Sequence, residues 1–227
     1  MHLPPARRRA ALLLTAGAVV YNDWPLEFFL PTGLDPANSY ASELYAADQP
    51  FHVLFGAVEL VAAALVASGA LTALAAWRGA LGRAGWGALA GFAAFSVADV
   101  MVPMRCAASV EPGCEVVNPW HTLTSALVHF ALFASMALLI LAARRDPARL
   151  PGVARRGPVV LTAAMATAVA TVGPLFGYPG WHGVTQRAHL VLVGVWFVLL
   201  ATGLSAVPAP RVPARRRPEL PEPSLRK

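Results

Sequence analysis

Four ionisable side chains near the ends of apolar stretches are the strongest candidates for chemistry in this sequence: Glu43, Asp99, His121 and Arg187. A charged group inside a membrane span costs about 2.5–3.5 kcal/mol at mid-depth, so it needs a partner, water or a function. A carboxyl group and an imidazole held together can pass protons to and from a substrate. We therefore predict Asp99 as a catalytic acid, His121 as a base or proton shuttle, and Glu43 as a further catalytic group.

Four polar residues are candidates for substrate binding: Arg187, Gln186, Ser42 and Ser96. Arg187 could bind an anionic group or a lipid headgroup. Ser96 and Asp99 are three residues apart, which places them on one face of a helix. On one interpretation these residues form an outward-facing polar pocket, in which Arg187 pairs with Asp99 or Glu43 and His121 completes a hydrogen-bonded ring. The alternative is structural, with the same pairs only holding helices together.

Six apolar stretches must position these residues, and each is long enough for a helix to cross ~30 Å of hydrocarbon. They run over residues 9–30, 51–76, 84–104, 119–143, 157–176 and 186–207. Hydrophobic residues make up 57% of the chain and charged residues 13%, against about a quarter charged in a soluble domain. We predict an all-α fold with one six-helix transmembrane domain over residues 1–207. The Pro- and charge-rich segment 208–227 is predicted to be a disordered basic cytoplasmic tail.

The basic residues predict the orientation of this bundle. All of the 18 Lys and Arg residues except Arg105 and Arg187 lie near the termini or in alternate gaps between the apolar stretches. Positive charge beside a span stays cytoplasmic, so both termini are predicted inside and residues 31–50, 105–118 and 177–185 outside. The same arginines would meet anionic lipid headgroups, which explains a net charge of +6 without nucleic acid. For the first stretch, a cleaved secretory signal is the alternative to a retained span.

The two cysteines, Cys106 and Cys114, both fall in a loop predicted to lie outside. An oxidising compartment and an even count favour a disulfide, with two free thiols or half of a metal site as alternatives. The histidines give little support to a metal site, because His121 and His129 would lie about 12 Å apart along one helix. None of the histidines forms an i, i+4 ligand pair. We expect neither a metal nor a cofactor.

Four short motifs, in order along nearly the whole chain, resemble those of a family of prokaryotic multi-pass membrane proteins known as domain of unknown function nine hundred and ninety-eight. They are Tyr40-Ala41-Ser42-Glu43-Leu44, the segment from Asp99 to Cys106, His121, and Gly183-Val184-Thr185-Gln186-Arg187 followed by Trp196. Two positions depart from the family pattern. Val102 replaces a usual Phe, and Arg105 stands where an acidic residue is expected. The resemblance implies six helices and no established activity.

The sequence leaves two classes of function open. The first is an integral membrane protein of the prokaryotic inner or plasma membrane that associates with lipids or serves as an accessory subunit. The second is a membrane-embedded enzyme that acts on a lipid or isoprenoid by carboxyl and histidine acid–base chemistry. The expected partners are membrane lipids and a lipophilic small molecule, and not nucleic acid.

Overall fold

The computed structural model describes residues 5–115, 118–177 and 180–206, and within these ranges the chain contains helices and no strands. Six α-helices follow one another: α1 Pro5–Val20, α2 His52–Ala76, α3 Ala80–Met101, α4 Pro119–Arg145, α5 Pro151–Thr171 and α6 His182–Ala206. Three short 3-10 helices lie between them, at Trp24–Phe28, Ala41–Tyr45 and Gly173–Phe176. The tail predicted to be disordered, 208–227, lies outside the described residues.

Four of these helices, α2, α3, α4 and α6, are long and apolar enough to cross a membrane. The chain therefore has the character of a helical membrane protein. The other two predicted spans differ from expectation. Helix α1 has 16 residues, about 24 Å of helix, and α5 carries Arg155 and Arg156 in its second turn. Neither helix combines sufficient length with sufficient apolar composition, as the other four do.

The prediction of one continuous helix over residues 9–30 is wrong. Helix α1 ends at Val20, where the Asn22 amide turns back to donate to the Ala18 carbonyl at 3.0 Å. Pro25 then opens a separate 3-10 helix, because its ring fixes φ and removes a backbone donor. In α5 the difference is opposite. The helix begins at Pro151, six residues before the predicted stretch 157–176, and Pro158 lies inside it.

The six helices form a closed ring. Each packs against the next in the chain, and α6 returns to pack against α1. Successive helices run antiparallel, so one end of the ring carries the C-terminal ends of α1, α3 and α5 with the N-terminal ends of α2, α4 and α6. We call this the cap end, and the opposite one the basic end. At the basic end Arg149 stacks over Trp77 at 5.5 Å and donates to the Arg78 carbonyl at 2.9 Å.

Large aromatic and aliphatic side chains make up the core between the helices. Trp86, Trp196 and Phe197 are fully buried, while glycines allow neighbouring helices to approach closely. A β-carbon on Gly85 would lie 2.7 Å from Leu139 Cγ, so only glycine permits this contact of α3 with α4. Close approach at small residues is the usual way helices associate in lipid.

The connections at the cap end are tied together. The predicted disulfide between Cys106 and Cys114 is confirmed. The loop that it closes contacts the segment after the second 3-10 helix, because the Ala107 amide donates to Asp48 Oδ2 at 3.3 Å. Just before this loop, the Met104 carbonyl accepts from the Ala47 amide at 2.9 Å. These contacts join the loops at the cap end of the ring.

Candidate functional site

A cavity of about 540 Å³ lies at the cap end of the ring. Its walls come from the segment after α1, from the Tyr40–Tyr45 region, and from α2, α3, α4, α5 and α6. Five of the seven predicted catalytic or substrate-binding residues line it: Ser42, Ser96, Asp99, His121 and Gln186. Glu43 and Arg187 do not.

Asp99, on the last turns of α3, is the centre of the polar wall. Its Oδ2 accepts a hydrogen bond from the Tyr45 hydroxyl at 3.1 Å, and its Oδ1 accepts from the hydroxyls of Thr124 and Ser125, the latter at 2.9 Å. Burial, followed by the charge of Asp99, raises the pKa of Tyr45 well above its usual value of 10. The Tyr45 phenol is therefore a permanent donor, and three hydroxyl donors are the arrangement that an ionised carboxylate accepts.

His121, near the start of α4, faces the same carboxylate. Its Nδ1 lies 3.3 Å from Asp99 Oδ1, but the angle is not that of a hydrogen bond. Its position follows from the Asn118 side chain, which accepts from the His121 backbone amide and so caps α4. Ser96, one turn below Asp99 on α3, is 3% exposed. Neither Ser96 Oγ nor His121 Nδ1 has a hydrogen-bond partner among the described residues.

Two further histidines line the deeper part of the cavity. The rings of His129 and His189 stack with their centroids 5.0 Å apart. His129 Nδ1 lies 2.7 Å from the Ser125 carbonyl, and His189 Nδ1 lies 2.9 Å from the Ala164 carbonyl. A carbonyl only accepts, so each Nδ1 carries the proton, and in the neutral rings Nε2 is left as an acceptor.

Two carboxyl groups line the cavity in addition to Asp99. Glu59 projects from α2, and Asp23 lies in the turn after α1. No residue among the described cavity walls is a Lys or an Arg. The polar wall is thus acidic, and its nearest basic candidates are imidazoles.

Arg187 has a different partner from the one that the sequence suggested. Its Nε and Nη2 donate to the two carboxylate oxygens of Glu27 at 2.7 and 2.6 Å, and its Nη1 donates to the carbonyls of Ser39 and Gly183. The predicted pairing with Asp99 or Glu43 is therefore wrong. Because α6 packs against α1 to close the ring, Arg187 lies beside the segment after α1 and pairs with Glu27 there. The Arg187 and Glu27 side chains are only 6% and 1% exposed, and neither residue lines the cavity. Their ion pair joins the last helix, α6, to the segment after α1.

Glu43 also has a tie within the loops. Its Oε1 accepts from the Tyr40 amide at 2.9 Å, and its Oε2 accepts from the backbone amide and the hydroxyl of Ser109. The side chain is 1% exposed. Because Ser109 lies in the disulfide loop, Glu43 holds that loop down on the second 3-10 helix. Gln186 makes a comparable contact from α6, since its Oε1 accepts from the Ala41 amide.

Sequence reasoning assigned no role to four residues of these clusters: Asp23, Glu27, Tyr45 and Glu59. A signal existed for three of them. Asp23 and Glu27 lie within the apolar stretch 9–30 and Glu59 within 51–76, where acidic side chains require partners. Tyr45 carried no such signal, because its contact with Asp99 spans 54 residues and depends on how the loop folds over the bundle.

The cavity opens sideways, toward the face of the ring between α4 and α5. Its exposed lining residues are all on α4 or at the end of α5: Thr122, Ala126, Met165, Val169 and Val172. Helices α4 and α5 also pack less extensively than the other neighbouring pairs. In a membrane, such an opening would face the lipid acyl chains.

The described residues contain no group of three or more His, Cys, Asp and Glu side chains placed to hold a metal ion. What the site offers is a carboxylate with its hydroxyl donors, a nearby imidazole, and an apolar region beside them. A few polar groups set in mostly apolar walls are common in small-molecule pockets of proteins.

A comparison with known families identifies the family of this chain. The profile of the family described as "Protein of unknown function (DUF998)" matches residues 10–203, and the chain belongs to that family. The resemblance stated from the four motifs is thereby confirmed. No curated protein and no solved structure matches this chain.

Proposed function

We propose that this protein crosses the membrane six times, with both termini in the cytoplasm, and binds a single-chain amphiphile or lipid in the cavity at its cap end. The observation that carries the proposal is the cavity itself. A volume of about 540 Å³ falls in the range of about 300–1,000 Å³ that is usual for small-molecule sites.

The distribution of charge supports the orientation. Five arginines lie at the basic end of the ring, in the connecting segments or in the adjoining helix ends: Arg78, Arg83, Arg144, Arg145 and Arg149. By the positive-inside rule this end is cytoplasmic, so the cavity and the disulfide loop lie on the outer side. The disulfide is consistent with that placement, because such bonds persist in oxidising compartments.

The two parts of the cavity suit the two parts of an amphiphile. The headgroup would lie against Asp99, His121 and the hydroxyls around them. The acyl chain would lie against Phe133, Val169 and other apolar walls near the opening between α4 and α5. A ligand could then pass from the outer leaflet into the cavity with its chain still in an apolar environment.

A pair of alanines on α5 provides the test. Ala168 lines the cavity, whereas Ala166, two residues away, is exposed on another face of the helix and does not line it. The wild type, Ala168→Trp and Ala166→Trp are purified in a maltoside detergent and incubated with lysophosphatidylcholine. Native mass spectrometry then counts the lipid molecules that each protein retains.

We expect the wild type and Ala166→Trp to retain one lysophosphatidylcholine and Ala168→Trp to lose it. Equal retention by the two tryptophan variants would overturn the proposed binding site. Orientation is tested separately by labelling Cys106 and Cys114 in intact cells with an impermeant maleimide after reduction. Labelling only after the cells are opened would place the cap end on the cytoplasmic side and contradict the orientation.

An enzymatic role is a second candidate, favoured by the 3.3 Å approach of His121 to Asp99. A bound lipid with an acidic or basic centre at this point could exchange a proton with the pair. The test is lipid profiling of a deletion strain complemented with the wild type or with Asp99→Asn. A lipid that accumulates only with Asp99→Asn supports catalysis, and identical profiles contradict it.

A further inference from the structure

The charges around the cavity indicate which headgroup it would accept. Three carboxyl groups line it, those of Asp23, Glu59 and Asp99, and none of the described lining residues is a Lys or an Arg. Arg187 at the cap end is not a lining residue, and its outer nitrogens and its Nε are occupied by Glu27 and by two carbonyls. Among the described lining residues, therefore, no guanidinium or ammonium group balances the acidic wall.

The histidines add acceptors to this wall. His129 and His189 each donate their Nδ1 proton to a backbone carbonyl, so in the neutral rings their Nε2 atoms are acceptors. The Tyr45 hydroxyl is already used as a donor to Asp99. An anionic headgroup would meet three carboxyl groups here and no fixed positive charge among the described lining residues.

Two buried side chains of this wall each carry a polar atom that no described protein group satisfies. Ser96 is 3% exposed and His121 is 7% exposed, and both line the cavity. Ser96 Oγ and His121 Nδ1 have no hydrogen-bond partner within the described parts of the chain. A buried polar atom without a partner is costly, so such atoms commonly face a bound molecule or water.

Aromatic rings lie in the same walls. Tyr21, Tyr40, Tyr45, Phe55 and Phe133 all contribute to the cavity surface. The faces of aromatic rings attract cations, and quaternary ammonium groups are commonly recognised by aromatic residues together with a carboxylate.

We infer that the cavity selects an amphiphile with a cationic, amine-type headgroup, which is held by Asp99 with Glu59 and Asp23 while its alkyl chain extends toward the gap between α4 and α5. This inference rests on the proposed binding function and adds the class of ligand to it. It also reverses the expectation from the sequence that Arg187 would bind an anionic headgroup.

Three probes with the same dodecyl chain separate headgroup from chain: dodecyltrimethylammonium, dodecanol and dodecanoate. Each is titrated into the full-length protein in a neutral maltoside detergent, and bound probe is quantified by native mass spectrometry. The proteins are the wild type, Asp99→Asn, Glu59→Gln and the control Asp146→Asn. Asp146 is an acidic residue at the basic end, far from the cavity walls.

We expect the ammonium probe to bind the wild type at least about tenfold more tightly than the other two, since close charge pairs contribute about 1.5 kcal/mol or more. Asp99→Asn should remove most of this preference, and Asp146→Asn should keep it. Glu59→Gln should weaken it in the same direction, which provides a second variant if Asp99→Asn is poorly folded.

The other outcomes are distinguishable. Equal binding of the three probes, or preference for dodecanoate, overturns the inference that the cavity selects a cationic headgroup. In that case the proposed binding function still stands if Ala168→Trp blocks the binding of the probes. Binding that Ala168→Trp leaves unchanged overturns both. A preference for the ammonium probe that survives in both Asp99→Asn and Glu59→Gln overturns the assignment of these carboxyl groups.

Discussion

The buried ion pair between Arg187 and Glu27 should be the most important single polar contact for the stability of the fold. It joins α6 to the segment after α1 and so closes the ring of helices. We predict that Glu27→Gln, which keeps the shape of the side chain and removes its charge, strongly destabilises the protein. Arg187→Met should do the same, because it leaves the Glu27 carboxylate buried without its partner.

The geometry sets the magnitude. Two charge-assisted hydrogen bonds, of 2.7 and 2.6 Å, join side chains that are 6% and 1% exposed. Removing one partner of a buried pair typically costs about 3–5 kcal/mol, since the other charge stays desolvated. At about 2–4 °C per kcal/mol for a chain of this size, the apparent melting temperature should fall by roughly 6–20 °C.

The assay is thermal unfolding in detergent, followed by tryptophan fluorescence, for both single variants and for the double variant. An exposed ion pair is the control. Arg149 Nε lies 2.8 Å from Asp146 Oδ2, with side chains 35% and 49% exposed. Asp146→Asn should cost less than about 1 kcal/mol, because exposed pairs are screened by water and salt.

The double variant provides the sharper measurement. When both charges are removed, neither stays buried alone, so the loss should be smaller than the sum of the two single losses by about 1–3 kcal/mol. The reasoning is refuted if the two losses add, or if Glu27→Gln melts within the range of Asp146→Asn. Either result would mean that the pair does not close the ring.

Two more predictions concern the cap end. Gly183→Ala should destabilise the protein by about 1–3 kcal/mol in the same melting assay, because an added β-carbon would overlap the backbone carbonyls of Pro36 and Ser39, which cannot rotate away. The control is Gly87→Ala, whose β-carbon would meet nothing within 4 Å, and this variant should be neutral or stabilising. Replacing Cys106 and Cys114 with Ser should cost about 2–3 kcal/mol through the freed loop, and a reducing agent should lower the melting temperature of the wild type but not of that variant.

The positions of the helices were largely predictable from the sequence. Helix α2 was expected over 51–76 and runs from His52 to Ala76, and α4 was expected from 119 and begins at Pro119. Prolines and glycines mark these boundaries, and their effect on backbone conformation is local. The errors occurred where a local signal has two meanings, as at Pro158. Proline generally interrupts a helix, yet α5 begins at Pro151 and continues through Pro158.

The candidate site was predictable only in part. Ser96 and Asp99 share a helix face by their spacing, and both line the cavity. The disulfide followed from two cysteines in one loop and is confirmed. The role of Glu43 was not predictable, because its acceptor atoms are taken by the amides and hydroxyl of the loops around it, and loop contacts leave no periodic pattern in a sequence.

The sequence by itself determined that the chain forms six helices, which end of the bundle carries the basic residues, and to which family the chain belongs. Each of these depends on composition or on neighbours within a few turns. Only the tertiary structure decided which partner Arg187 takes, because Glu27 lies 160 residues away along the chain and meets it through closure of the ring. The cavity is likewise a property of the packing: its acidic, hydroxyl and apolar walls come from segments that become neighbours only when the six helices and the cap loops assemble.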